Sequence, residues 1–164
     1  HLAVAATTFA NGGTLVKPHL LLRRSEGTPT GDKGKVVYER KKETGAQVVS
    51  SEVASQILSF MQTATEDGGT AVKARVPGVQ VAAKTGTAQI PNPETNSYAD
   101  GSVLASTIAL VPADDPTYII YIAAGNPKGD TIWGANIASP AVGKIIRGLV
   151  SQGKLVSSLS RPAL

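Results

Sequence analysis

Three strand-like runs in the second half of the chain constrain the fold most. They read GVQVAAKT (78–85), SVLASTIALV (102–111) and TYIIYIAAG (117–125), and the last two are rich in β-branched residues. The short turn PADDP joins the second run to the third, which favours an antiparallel hairpin. A longer loop with Pro91 and Pro93 joins the first run to the second. The sequence therefore predicts an antiparallel sheet in this part of the chain.

Helical segments are predicted on both sides of these runs. Residues 2–10 are small and mostly apolar, and the helix-ending triplet NGG follows them. A second helix is predicted to begin at Ser50 or Ser51, either of which is a good N-cap, with Glu52 in the first turn. Its apolar residues recur at helical spacing, which predicts packing into the core: Val53, Ile57, Leu58 and Met61.

A third helix is predicted in IASPAVGKIIRGLV, where Val142, Ile145, Ile146 and Leu149 share a face and a proline is acceptable in the first turn. The segment SEGTPTGDKGK (25–35) is predicted to be a polar turn region, and the tail from Ser157 to be frayed. Helices flanking an antiparallel sheet make this an α+β fold.

Composition and charge exclude several functional classes. There is no cysteine, so a disulfide framework and a thiolate metal site are both excluded, and His1 and His19 have no evident carboxylates placed to form a metal site with them. The net charge is +4, but the basic residues are scattered and aromatic residues are only 4%, so no nucleic-acid surface is expected.

No run approaches the roughly 20 apolar residues that span a bilayer. Because the chain starts inside a helical pattern, we expect it to be truncated at its N-terminus.

The stretch QVAAKTGTAQ (80–89) carries the clearest chemical signal. It imitates a phosphate-binding loop only superficially, because VQVAA favours a strand and Gly86 and two prolines oppose the helix that must follow. In a strand, Thr85 and Thr87 share one face, and Lys84 and Gly86 share the other. Two hydroxyls about 7 Å apart can bind a carboxylate or a carbonyl group. The alternative is an ordinary threonine-containing strand that ends in a surface lysine.

The order of segments resembles the C-terminal half of a transpeptidase domain of the penicillin-binding proteins, especially the class B enzymes. The segments that carry the resemblance are LAVAATTFANGGTLVKPHL, VSSEVASQILSFMQTATEDGGTA, VPGVQVAAKTGTAQ, STIALVPADDPTYIIYIA and ASPAVGKII. The KTG triplet belongs to the signature of penicillin-binding proteins and β-lactamases. The resemblance implies the antiparallel sheet with flanking helices of that fold, with residues 1–164 as the C-terminal portion of the domain and its N-terminal portion missing.

The resemblance also implies a role for each residue of the KTGT tetrapeptide. Lys84 would supply positive charge beside the catalytic hydroxyls and support proton transfer. Thr85 and Thr87 would bind the carboxylate of a β-lactam or of the stem peptide that it imitates. The backbone N–H of Thr87 would be one donor of the oxyanion hole, and Gly86 would keep the strand accessible. No cofactor and no metal is implied.

Two departures from the family pattern matter. Ala83 stands where the family often has glycine, a small change that we expect to be tolerated. In the family, the S-x-x-K motif with the nucleophilic serine and the S-x-N loop both precede KTG. Neither motif precedes KTG in this sequence. S-x-N does not occur, and S-x-x-K occurs only after KTG, as Ser151 to Lys154, which we interpret as a solvated helix end. We therefore predict that the isolated chain is inactive.

The expected partners are peptidoglycan stem peptides, β-lactam antibiotics, the missing N-terminal part of the domain, and cell-wall synthesis or division proteins. The expected location is the extracytoplasmic side of a bacterial cytoplasmic membrane. Alternatives of the same fold are a serine β-lactamase, a D,D-carboxypeptidase, a non-catalytic β-lactam sensor and a degenerate interaction domain. A further alternative is an unrelated α+β domain in which KTG occurs by chance.

Overall fold

A computed structural model of the chain describes residues 1–27, 34–41, 45–98 and 101–157. The predicted polar turn at 25–35 lies mostly outside the described residues, as does the tail after Ser157. The helices of the described part are α1 Leu2–Ala10, α2 Ser51–Thr63, α3 Gly134–Ile137 and α4 Ser139–Ser151, and its strands are β1 Arg23–Glu26, β2 Lys35–Glu39, β3 Ala82–Gln89, β4 Val103–Val111 and β5 Tyr118–Gly125. None of these helices combines the length and apolar character needed to cross a bilayer.

The main sheet confirms the prediction of an antiparallel arrangement. Its strand order is β3-β4-β5, and both pairings are antiparallel. Thr107 of β4 lies opposite Thr85 of β3 on one side and Ile122 of β5 on the other. The turn at 112–116 forms the β4–β5 hairpin, as its prolines and aspartates predicted. β1 and β2 form a separate two-stranded antiparallel sheet.

Helices cover both faces of the main sheet. Side chains alternate between these two faces, and apolar side chains of the sheet are buried on each of them. On one face, Ala83 and Ala109 belong to a core cluster with Val142 and Ile146 of α4. On the opposite face, two sheet residues pack in a second cluster with side chains of α1 and α2; its buried members are Ala6, Leu58, Ala82, Leu110 and Ala113. Full burial of an aliphatic side chain such as Ile146 contributes about 1.5–3 kcal/mol. The predicted α+β class is confirmed.

The start of α2 agrees with the sequence prediction, but its buried face differs in part. Ser50 is the N-cap, and its hydroxyl accepts a hydrogen bond of 3.3 Å from the backbone N–H of Val53. The prediction that Val53 packs into the core is wrong, since this side chain is 44% exposed. Ala54 and Leu58 are the buried residues of the helix, and the partly buried Met61 packs in the same cluster as Leu58. A small residue thus occupies a buried position in the first turn of the helix, where the pattern suggested the larger Val53.

The last helical region is divided into α3 and α4, which meet at the buried pair Ala138 and Ser139. Val142 and Ile146 are fully buried, as predicted. Ile145 was predicted to share that face but is 40% exposed. α3 places the chain beside β3, where the KTGT tetrapeptide lies, and α4 then carries it back onto the sheet core.

Candidate functional site

The KTGT tetrapeptide lies where β3 leaves the core. Ala82 and Ala83 are completely buried, Lys84 is exposed, and the next three residues are half-buried. β3 is the terminal strand of its sheet, and within the described ranges no strand pairs with its outer edge. The first half of the strand is therefore anchored by packing, while the second half presents backbone groups and side chains to the surroundings.

A cavity of about 540 Å³ opens beside this part of β3. Three segments enclose it: the 3₁₀ turn at 72–74 with the residues before it, the second half of β3, and the region that begins α3. Its lining residues are Gly69, Thr70, Val72, Lys73, Thr85, Gly86, Thr87, Trp133, Gly134, Ala135 and Asn136. This volume is within the range of small-molecule sites, and several of its lining groups are hydrogen-bond donors.

Thr85 and Thr87 both line this cavity, as the alternation of side chains along a strand predicts. The hydroxyl of Thr85 donates a 3.1 Å hydrogen bond to that of Thr70. The hydroxyl oxygen of Thr87 accepts a hydrogen bond of 3.3 Å from the backbone N–H of Gly134. Because Thr87 is already an acceptor in this contact, its own O–H remains available to donate to a ligand.

Gly134 brings α3 unusually close to the sheet. A Cβ atom at this position would lie 2.2 Å from the carbonyl oxygen of Ser106 and 2.5 Å from that of Gly86. Only glycine permits such an approach, and the approach places the Gly134 N–H against Thr87. The carbonyl oxygen of Gly134 in turn accepts a 3.2 Å hydrogen bond from Thr107, whose hydroxyl also contacts Ser139 at 3.0 Å.

Gly86 also has a local packing reason to lack a side chain. A Cβ atom there would lie 2.9 Å from the hydroxyl of Ser106, its partner on β4. The role predicted for Gly86 from the sequence, which is to keep the strand accessible to a ligand, stays a prediction.

Lys84 does not line the cavity with the two threonines. Its ammonium donates a 2.6 Å hydrogen bond to the carbonyl oxygen of Thr85, and its side chain leaves the strand on the opposite face. The predicted role of Lys84 therefore concerns a different side of the strand from the hydroxyls.

The structure adds cavity residues that the sequence did not reveal. One of them, Lys73, lies in the 3₁₀ turn that precedes β3. The others come from the region of α3, which is distant in sequence from KTGT: Trp133, Gly134 and Asn136. The ammonium of Lys73 donates a 2.7 Å hydrogen bond to Oδ1 of Asn136. Neither residue belongs to a recognisable local motif, so only the tertiary structure could identify them.

The other residues considered from the sequence lie elsewhere. Ser151 is the last residue of α4, and its hydroxyl donates to the carbonyl of Gly148 at 3.0 Å, as expected for a helix end. Asp114 and Asp115 are exposed in the hairpin turn and border a separate cavity of about 310 Å³. Within the described ranges, no three His, Cys, Asp or Glu residues are grouped so that they could hold a metal ion.

Comparison with known proteins points to one family. The family profile described as the penicillin binding protein transpeptidase domain matches residues 1–147. The chain is 35% identical over 145 residues to stage V sporulation protein D of Bacillus subtilis, covering 88% of this chain and 21% of that protein. It is 33% identical over 133 residues to penicillin-binding protein PbpB of Mycolicibacterium smegmatis, covering 77% and 20%. The chain thus spans about a fifth of the length of these relatives.

Solved structures give the same result. The chain superposes on penicillin-binding protein 3 of Mycobacterium tuberculosis in complex with ampicillin with a TM-score of 0.79 at 26% identity. The match covers 99% of this chain and 36% of that one. A second structure of that protein, in complex with aztreonam, gives a TM-score of 0.78 at 27% identity and covers 99% and 37%.

Proposed function

The chain belongs to the penicillin-binding protein transpeptidase domain family, and from this premise we propose that it is the C-terminal part of a serine-type peptidoglycan D,D-transpeptidase. The observation that carries the proposal is the KTGT tetrapeptide on an accessible edge strand, with the hydroxyls of Thr85 and Thr87 in a cavity of about 540 Å³. Residues 1–164 supply this wall of the site. The remainder of the domain supplies the nucleophile.

The proposed reaction is an acyl transfer in two steps. The serine oxygen attacks the carbonyl carbon of the penultimate D-alanine of a stem peptide, the amide C–N bond breaks, and the terminal D-alanine leaves with the proton that the serine loses. An amine of a neighbouring stem peptide then attacks the ester, which forms the crosslinking amide and returns a proton to the serine. A β-lactam acylates the same serine, but its ring opens without losing a fragment.

Each residue of the tetrapeptide has a proposed part in this reaction. Thr85 and Thr87 bind the carboxylate of the stem peptide or of the β-lactam, and the Thr87 N–H stabilises the oxyanion that forms during attack. Lys84 contributes positive charge beside the catalytic hydroxyls and supports proton transfer. Gly86 allows the ligand to lie close to the backbone.

We further propose that the complete protein is anchored in a bacterial cytoplasmic membrane with this domain on its extracytoplasmic side. There it would act with proteins of cell-wall synthesis or division. The isolated chain is proposed to be inactive, because the family's S-x-x-K nucleophile motif and S-x-N loop do not precede KTG in these 164 residues.

The test is the intact mass of the full natural gene product with and without a penicillin. A gain of one whole drug mass on a serine that precedes His1 in the chain would support acylation. The Thr85→Val and Thr87→Val variants should then acylate more slowly, while Thr117→Val, in the hairpin turn, should not. A folded protein that gains no mass would instead favour a non-catalytic interaction domain. Rapid loss of the adduct in water would favour a β-lactamase or a carboxypeptidase.

A further inference from the structure

The KTGT cavity contains a lysine that is not part of the tetrapeptide. Lys73 lies in the 3₁₀ turn Val72–Ala74, between Ala71 and Ala74, which are both completely buried. These two alanines fix the turn in the core, so the exposed Lys73 side chain is directed outwards to the cavity that it lines with Thr85 and Thr87. The cation and the two hydroxyls therefore share one space.

Among the residues that the structure describes, no acidic side chain is paired with Lys73. Its ammonium donates to the side-chain oxygen of Asn136, which is a neutral amide, at 2.7 Å. The amide nitrogen of Asn136 donates to the hydroxyl of Thr131 at 3.0 Å, and this second contact orients its oxygen towards the lysine. None of the described residues that line the cavity is an aspartate or a glutamate. Asp67, the acid closest to Lys73 in sequence, is paired with Arg75 at 2.9 Å.

The lysine of the tetrapeptide does not take this position. Lys84 leaves β3 on the face opposite Thr85 and Thr87, and its ammonium binds a carbonyl oxygen of the strand. Within the part of the chain that the structure describes, the cation that lines the same cavity as the two hydroxyls is Lys73.

We propose that Lys73, held in place by Asn136, completes an anion-binding site with the hydroxyls of Thr85 and Thr87, and that its ligand group is a carboxylate. The ammonium of Lys73 and the O–H of Thr87 are donors in this geometry, and the Thr85 hydroxyl becomes a third donor when it turns from Thr70 towards the ligand. Two hydroxyls and one point charge match a small planar anion. The helix α3 organises both parts, since Gly134 donates to Thr87 and Asn136, two residues later, accepts from Lys73. This inference deepens the proposed function and depends on it.

The test compares two acylating agents that differ in charge. The full-length protein is treated with benzylpenicillin, which carries a carboxylate, and with its uncharged methyl ester, and the second-order rate constant of acylation is measured for each. Lys73→Met should lower the rate constant for benzylpenicillin about tenfold, the size expected for one charge-assisted hydrogen bond at a partly exposed site, and leave that for the ester unchanged. Lys73→Arg, which keeps the charge, should restore most of the rate. Lys144→Met, on an exposed position of α4, is the matched control and should change neither rate.

A second variant tests the charge without removing the lysine. Asn136→Asp places a carboxylate on the ammonium of Lys73, and it should also slow acylation by benzylpenicillin selectively. Equal loss with both agents would overturn the inference, because it would mean that Lys73 only supports the fold. An unchanged preference for the carboxylate in Lys73→Met and Asn136→Asp would also overturn it, while the proposed function would stand as long as Thr87→Val reduces that preference. Failure of the folded parent protein to be acylated at all would overturn the proposed function together with this inference.

Discussion

A single methyl group added at Gly134 should test the close contact between α3 and the sheet. In Gly134→Ala, the new Cβ would lie 2.2 Å from the carbonyl oxygen of Ser106, whereas ordinary contacts begin near 3.4 Å. Ser106 and Gly86, the two residues whose oxygens it meets, are paired in the ladder between β3 and β4, so the strands cannot yield without loss of their hydrogen bonds. The helix must therefore move outwards by about 1.2 Å. We expect a cost of about 3 kcal/mol, the upper part of the range for overpacked sites.

The same displacement should impair the site. The hydrogen bond from Gly134 to Thr87 is already 3.3 Å long, so a shift of this size would break it. Loss of one such bond corresponds to about 1 kcal/mol, or roughly a fivefold slower acylation by penicillin.

Gly148→Ala provides the matched control for Gly134→Ala. Gly148 lies in α4, and a Cβ atom there would have nothing within 4 Å. Alanine should stabilise this helix by about 0.5–1 kcal/mol relative to glycine. Urea unfolding of both variants in the full-length protein, with penicillin acylation measured in parallel, decides the matter. If Gly134→Ala unfolds at the same urea concentration as the parent protein, then the close approach of α3 to the sheet does not exist and the reasoning fails.

Three further predictions concern the fold around the site. Ile146→Ala should lower the free energy of unfolding by about 2–5 kcal/mol because this side chain is completely buried, whereas Ile145→Ala, at a residue 40% exposed, should cost less than 1 kcal/mol in the same urea experiment. Thr107→Val should cost about 1–3 kcal/mol because it leaves buried polar partners unsatisfied, and Thr107→Ser should recover most of that loss in thermal unfolding. The pKa of Glu52 is held below its ordinary value of about 4.5, first by its own backbone N–H and then by the hydroxyls of the two preceding serines. The contribution of the ionised Glu52 side chain to stability is therefore present above the unfolded-state pKa and is lost as the pH falls through the lower folded-state pKa. Glu52→Gln should make the free energy of unfolding less dependent on pH in this acidic range. An NMR titration midpoint of Glu52 at or above 4.5 would contradict the lowered pKa.

Most of the fold could be predicted from local patterns. β-Branched runs and the proline-aspartate turn were sufficient for the β4–β5 hairpin, and serine capping was sufficient for the start of α2. The family resemblance stated from ordered sequence segments is confirmed by the match over residues 1–147. The pattern failed at Val53 and Ile145, because helical periodicity defines a broad apolar face but not which of its residues meets the sheet. In the first turn of α2 the buried residue is Ala54, whose small side chain gives no signal in the sequence.

Only the part of the candidate site that is contiguous in sequence could be predicted from the sequence. Lys84 to Thr87 form one continuous motif, and the alternation of a strand predicted that the two threonines share a face, which in the structure borders the cavity. Lys73 was one of sixteen scattered basic residues, and its hydrogen-bond partner Asn136 is 63 positions away. Contacts of this kind depend on how α3 and the 3₁₀ turn pack against the sheet, which no local pattern encodes.

The precision of the site derives from the core beneath it. A helix of four residues such as α3 is not stable by itself, so its position must be imposed by its neighbours. The contact of Gly134 with the sheet imposes it from one side, and the buried pair Ala138 and Ser139 at the start of α4 imposes it from the other. Because α3 in turn holds Thr87 and Lys73, substitutions at buried positions of α4 should change the geometry of the proposed carboxylate site without contacting it.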